Sequence, residues 1–184
     1  MVALHYPSKL SVAPATMSMT NVSGGKEGLL SQIVESETTY VEDLRFVIEE
    51  YMKPLKSTPE KYGLDRSDIM VMFYNIALIK EINDDMLQKF ELVADGKGQL
   101  SGFGQVFLDM SDKLMTYHQY CDNHEKAQLK LAEKTQSSSK FSAFIQQVEA
   151  GDKKRNLNSL LERPVLRARE YAGEHFFSFV QSCI

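Results

Sequence analysis

The sequence predicts an all-α fold, an elongated antiparallel bundle of long helices, and three observations carry that reading. Apolar residues recur at spacings of three, four and seven through successive segments, as one face of a helix demands. No alternation of period two survives beyond a few residues. The periodic segments are separated by Gly, Pro, Ser and Asp clusters, which mark turns. At 184 residues, 43% hydrophobic and 25% charged, the composition is that of an ordinary globular domain, and such a chain buries roughly two thirds of its unfolded surface without needing staples.

Residues 1–27 read as a flexible tail and residues 28–184 as the helical domain. The first 26 residues, MVALHYPSKLSVAPATMSMTNVSGGK, contain no acid and carry no helical stripe. A transit peptide would also be Ser-rich and acid-poor, but the absence of Arg argues against one. The first helix follows Gly24-Gly25, with Leu29, Ile33, Tyr40, Leu44, Ile48, Tyr51 and Leu55 on one stripe. Pro54 marks its end, because the residue before proline is pushed out of the helical region. Glu37 lies off this stripe, near its edge. Residues 57–63, STPEKYG, form a loop.

A second helix starts at Asp65, where Asp65 and Asp68 make a short-carboxylate capping box. Its buried stripe is Ile69, Met72, Phe73, Ile76, Ile79, Ile82, Met86 and Phe90, and residues 94–98, ADGKG, stop it. The third carries Phe103, Val106, Phe107, Met110, Leu114, Tyr117 and Cys121 and runs on through Ala127 and Leu131, with a bend expected at Asp122-Asn123. Ser137-Ser138-Ser139 breaks the chain and caps a shorter helix with Phe141, Phe144, Ile145 and Val148, which ends at Gly151-Asp152. Leu157, Leu160 and Leu161 then belong to a short turn reaching Arg163. A new helix begins at Pro164, which suits a first turn and costs about 3 kcal/mol inside a helix; it carries Val165, Ala168, Tyr171, Ala172, Phe176 and Phe179.

Several function classes have no support. A net charge of −4 supplies no drive toward nucleic acid or anionic lipid, and no window approaches the length of apolar chain that a membrane span requires. Two cysteines without a CxxC do not make a disulfide framework, so a reducing, cytoplasmic setting is expected. Cys183 is penultimate, whereas prenylation needs the cysteine fourth from the end. There is no phosphate-cradling G-x-x-x-x-G-K, no G-x-S-x-G and no H-E-x-x-H, and no Glu is followed three residues later by His, as a di-metal bundle site needs. His118, Cys121 and His124 are spaced by three, but helical drift spreads them too far for tetrahedral binding, and Cys121 continues the apolar stripe. No metal and no cofactor is expected. Met70, Met72, Met86, Met110 and Met115 read as core filler, and Lys153-Lys154-Arg155 as a solvated loop.

Three blocks, in this order and spacing, go further: LLSQIVESETTYVEDLRFVIEEYMKPL at 29–55; FYNIALIKEINDDMLQKFE at 73–91 with FGQVFLDMSDKLMTYHQYCDNHEKA at 103–127; and LNSLLERPVLRAREY at 157–171. Together they resemble the Dbl-homology domain, the catalytic module of Rho-family guanine nucleotide exchange factors, over residues 28 to about 172. The first block is the most specific, since "ESETTYVEDL" followed by "YMKPL" is very like the family's opening helix. The resemblance implies a function: promoting GDP release from a Rho-family small GTPase, with no covalent chemistry, in Rho signalling to the cytoskeleton. It implies that Glu37 reaches the GTPase's first switch segment, that Arg163 engages the second, and that Arg167 shares that surface or braces the last helix against the first. Glu37 and Arg163 are thus expected on one outward wall. Leu166 stands where the family has Gln, and Glu170 where it has Lys. Ala172-Gly173-Glu174-His175 interrupts an apolar run, and the final helix is expected to be incomplete. These departures leave a second reading, a non-catalytic helical module that binds a GTPase or another partner without exchange. An incomplete last helix would also leave a groove open to self-association. Which GTPase is preferred is not written in these motifs.

Overall fold

Each apolar stripe becomes a helix, and the departures from prediction fall at prolines and at breaks inside long stripes. The computed structural model describes residues 26–97, 101–151 and 155–172. The expectations for the N-terminal tail before residue 26, for the basic pair Lys153-Lys154 and for the chain beyond residue 172 lie outside them. Among the described residues there is no strand, and no helix is long and apolar enough to cross a membrane.

Helix α1 (Lys26–Phe46) does not stop before Pro54 as predicted. It passes through a π-helical turn, Val47–Met52, into α2 (Lys53–Ser57), whose first turn holds Pro54. In the π turn the Lys53 amide reaches back five residues, to the Ile48 carbonyl, so the ordinary four-residue ladder is already interrupted where Pro54 brings no donor. A 3₁₀ turn, Pro59–Tyr62, closes on Gly63 at φ 68°. A Cβ there would stand 2.8 Å from Ser138 Oγ, so both the backbone and the close approach call for glycine.

Helix α3 (Arg66–Phe73) opens with the predicted box: the Asp68 amide donates to Asp65 Oδ1 at 3.4 Å and the Asp65 amide to Asp68 Oδ2 at 2.9 Å. The buried Asp68 carboxylate also receives Lys134 at 2.9 Å and Lys130 at 3.5 Å. The second predicted helix is in fact two. It breaks at Tyr74 (φ 40°, ψ −118°) before α4 (Ile76–Leu92) begins. The third also divides, into α5 (Ser101–Leu114) and α6 (Thr116–Ser137), at Met115 rather than at Asp122-Asn123. The two breaks lie side by side, because the Asn75 amide donates to the Thr116 carbonyl at 3.2 Å. Helix α7 (Ser139–Gly151) is capped by Ser138, whose hydroxyl accepts from the Phe141 amide and donates to the Tyr62 carbonyl.

Helix α8 (Leu157–Ala172) overturns the predicted start at Pro164, which lies inside it. Proline withdraws a backbone donor and crowds the turn before it. One residue beyond the Leu160 carbonyl that loses its donor, the Leu161 carbonyl accepts a hydrogen bond from the buried Tyr120 hydroxyl of α6 at 2.8 Å, so a neighbouring helix ties down the turn that carries the proline.

The interior divides into two apolar clusters. The larger joins α1, the π turn, helices α2 and α3, the start of α4 (Ile76 and Ile79) and helices α6, α7 and α8, with Tyr40, Tyr51, Phe73 and Phe141 fully buried. The smaller joins α1, α4 and α5 around Ile82, Met86, Phe90, Phe103 and Met110. Leu114 and Tyr171 pack against both. Met72, Met86 and Met110 are core residues as expected, but Met70 and Met115 are 71% and 66% exposed and fill no core.

Candidate functional site

Helix periodicity puts Glu37 where the stripe of α1 faces α8. It stands three residues before Tyr40 and seven before Leu44, so all three share one side of the helix. Its reading as an edge position does not hold: Glu37 is 2% exposed. On α8, Arg163, Arg167 and Tyr171 follow one another at intervals of four, and this row faces α1.

The inner part of the seam is a buried polar cluster. The Tyr171 hydroxyl lies 2.9 Å from each Glu37 carboxylate oxygen and 3.0 Å from Asn83 Oδ1. Arg167, 7% exposed, places Nη2 3.9 Å from Glu37 and donates to the Ser36 carbonyl at 2.8 Å, to Ser36 Oγ at 3.2 Å and to Glu170 at 3.0 Å. Its guanidinium also lies 4.8 Å from the Tyr40 ring centroid and 5.6 Å from that of Tyr171. Asn83 donates to the Ile79 carbonyl and to the Tyr117 hydroxyl, which in turn pairs with the Tyr40 hydroxyl at 2.9 Å. The cluster thus occupies the boundary between the two apolar cores.

Its charges follow from burial. Desolvation pushes the Glu37 carboxyl above the usual carboxylate range, against the opposing pull of Arg167 and the Tyr171 hydroxyl. Burial by itself would lower the Arg167 value, but Glu37, Tyr171, Glu170 and Tyr40 outweigh it and hold the guanidinium charged. Burial raises the Tyr40, Tyr117 and Tyr171 phenols, so all three stay neutral.

The outer part of the seam is wetter. Asp43, six residues and about 9 Å along α1 from Glu37, lies 3.4 Å from Arg163 and 3.5 Å from Arg155. The Arg163 side chain keeps 37% of its surface exposed. Arg155 also stacks over Phe46 at 5.0 Å, so it is anchored rather than merely solvated. Beside it an open concavity of about 360 Å³ is lined by Glu42, Arg45, Phe46, Glu49, Glu50 and Arg155.

The structure therefore brings Glu37, Arg163 and Arg167 to one seam, but not to one outward wall. Arg163 reaches solvent; Glu37 and Arg167 are sealed in this conformation. Glu170, standing where the resemblance has Lys, supplies a carboxylate to Arg167. Sequence reasoning missed Ser36, Asp43, Asn83 and Tyr117 as partners. Asn83 had a signal, since it is a polar residue one turn from Ile79 on a buried stripe. Among the described residues no group of His, Cys, Asp or Glu is placed to hold a metal ion. His118 instead pairs with Asp122 at 3.0 Å, and Cys121 is half-buried, its thiol pushed up by desolvation.

Comparison with known proteins bears on this seam. A RhoGEF domain model matches residues 29–172. The chain is 32% identical over 145 residues to the Myosin-M heavy chain of Dictyostelium discoideum, covering 78% of this chain and 8% of that protein. It is 35% identical over 104 residues to the phosphatidylinositol 3,4,5-trisphosphate-dependent Rac exchanger 1 protein of Mus musculus, covering 54% and 6% respectively. The chain thus spans a small part of the length of these relatives. Among solved structures, one of the Vav1 exchange factor superposes with a TM-score of 0.73 at 20% identity, covering 84% of this chain and 41% of that one. The NMR structure of the Y174 autoinhibited Dbl homology domain gives 0.69 at 20% identity, covering 86% and 80%. Both likenesses speak to the fold.

Proposed function

This chain belongs to the RhoGEF domain family, and from that premise we propose that it promotes GDP release from a Rho-family small GTPase through the α1–α8 seam. The observation that carries the reading is that two acid–base pairs, Glu37 with Arg167 and Asp43 with Arg163, line one seam within the matched region. In this reading Glu37 anchors the first switch segment and Arg163 the second, while Arg167 braces α8 on α1. The cytoplasm is the setting this implies.

No bond to the protein forms or breaks. An exchange factor acts by binding the nucleotide-free GTPase more tightly than the loaded one, and by linkage factor and nucleotide weaken each other's binding by the same ratio. The Mg²⁺ and nucleotide belong to the partner, and this chain contributes a rigid helical wall. Buried packing of α1 and α8 supports such rigidity.

Loss of a fluorescent guanine nucleotide from a panel of Rho-family GTPases tests this. Micromolar protein is expected to accelerate release from at least one of them, and Glu37→Ala is expected to abolish the acceleration while the helical circular dichroism is kept. A second reading, a module that binds without exchange, is favoured by the burial of Glu37 and by Leu166 and Glu170. Binding without acceleration would establish it. Neither binding nor release across the panel would remove both.

A further inference from the structure

The buried cluster has more acceptors than donors around one proton. The Tyr171 hydroxyl carries a single hydrogen, and three oxygens compete for it: the two of Glu37 at 2.9 Å and Oδ1 of Asn83 at 3.0 Å. The amide orientation of Asn83 is fixed by its other contacts. Its nitrogen donates to the Ile79 carbonyl at 2.6 Å and to the Tyr117 hydroxyl at 2.7 Å, so a flip would set oxygen against carbonyl. Oδ1 is thereby held toward Tyr171. Asn83 is 0% exposed, so no solvent competes for this acceptor.

The other partner of Glu37 is doubled in the same way. Without Glu37, Arg167 keeps the Ser36 carbonyl, Ser36 Oγ and Glu170. Glu37 is accordingly the member whose departure leaves neither of its partners unbonded, and an unbonded buried donor is what makes such departures costly. Glu170, which shares Arg167 with Glu37, has a side chain 54% exposed, so the charged partner that Arg167 keeps lies at the solvent boundary.

We infer that Asn83 is a positioning residue for GTPase engagement: it takes over the Tyr171 proton when Glu37 leaves the cluster, so that a sealed carboxylate can be released to the partner's first switch segment. This rests on the proposed exchange function and states how the same site is regulated. Tyr171 retains Glu37 in the free protein, and Asn83 lowers the barrier to letting it go. The groups that face Glu37 during this exchange are Arg167, Glu170 and Tyr171 from α8, Asn83 from α4 and Tyr117 from α6.

Nucleotide release and Glu37 titration, measured on the full chain, test the inference together. Asn83→Leu removes the alternative acceptor and is expected to slow exchange about tenfold, the scale of one buried hydrogen bond. Tyr171→Phe removes the retaining proton and is expected to raise exchange several-fold. In the double variant the Asn83→Leu effect should vanish, because it acts through that hydroxyl. Should Asn83→Leu unfold, Asn83→Ala serves in its place. A Tyr171→Phe variant that is slower than the parent, or an Asn83 effect that persists undiminished in the double variant, overturns the inference. The second readout needs no GTPase. Carbon-13 NMR of the Glu37 carboxyl should show a lower titration midpoint in Asn83→Leu, where the Tyr171 proton is committed to Glu37, and a higher one in Tyr171→Phe. An unchanged midpoint in Asn83→Leu overturns the relay on its own. If no GTPase responds to the parent chain, the exchange reading falls, and the titrations still decide whether Asn83 and Glu37 share the proton.

Discussion

The α1–α8 seam contains the same chemistry twice, and the two copies differ in burial. Glu37 and Arg167 meet where both are under 10% exposed; Asp43 and Arg163 meet with 14% and 37% of their side chains in contact with solvent. In the inner pair desolvation competes with Coulomb attraction, and removing Arg167 strands the Glu37 carboxylate, whereas Arg167 without Glu37 still keeps Glu170. In the outer pair Arg163 keeps contact with water and Asp43 retains Arg155 as a second cation, so a smaller cost is expected when Arg163 is removed. One seam therefore holds a sensitive half that sets the fold and an adaptable half that is open to solvent.

Removing the inner cation would test that contrast most severely. Arg167→Ala leaves Glu37 buried without its counter-charge and is expected to lower stability by about 3–5 kcal/mol, read by urea denaturation. Adding Glu37→Gln to it should restore part of the loss, because the stranded charge is then gone. A loss below about 1 kcal/mol for Arg167→Ala would mean that the two halves of the seam are energetically alike.

On the outer half, Asp43→Asn or Arg163→Ala should cost no more than about 1 kcal/mol, and the cost should shrink further in high salt. In the proposed exchange reading Arg163→Ala nonetheless slows nucleotide release. A large effect on stability with none on release would reverse the assignment of the two halves.

The smallest expected effect is a change in pH dependence. Glu37 titrates above its ordinary value of 4.5 in the folded chain, so the native state holds a proton that the unfolded chain has released. Its contribution to stability is therefore fully present below pH 4.5 and is lost as pH rises through the raised folded value. Asp85 behaves oppositely. Lys113 and Lys89 hold its carboxyl below the ordinary 3.8, so its contribution is present above pH 3.8 and is lost as pH falls through the lowered value. Glu37→Gln should remove the first trend and leave the second. Urea midpoints between about pH 2 and 7 would show both, and an unaltered slope above pH 4.5 would mean that Glu37 is not desolvated in solution.

Helix type, the order of elements and the Asp65–Asp68 box were legible because they depend on residues within a turn or two of each other. The family resemblance was legible because it rests on long contiguous blocks. What escaped depended on distant partners. Pro164 looks like a boundary until Tyr120, forty-four residues earlier, offers its hydroxyl to the Leu161 carbonyl. Glu37 looks like an edge residue until Arg167 and Tyr171 fold over it. The unbroken stripe through Phe73 and Ile76 concealed the break at Tyr74, because both sides of the break bury apolar residues in the same core. The outward wall expected of Glu37 and Arg163 could not be tested from spacing, because periodicity gives the side of a helix and not what lies against it.

The proline in α8 has a mechanical consequence. A smooth cylinder packed between two others can roll about its own axis with little change in buried area. Pro164 and the Leu161–Tyr120 bond act as a keyway on one flank of the shaft, fixing its azimuth against α6. The row Arg163, Arg167 and Tyr171 on another flank is thereby aimed at α1 before any partner arrives.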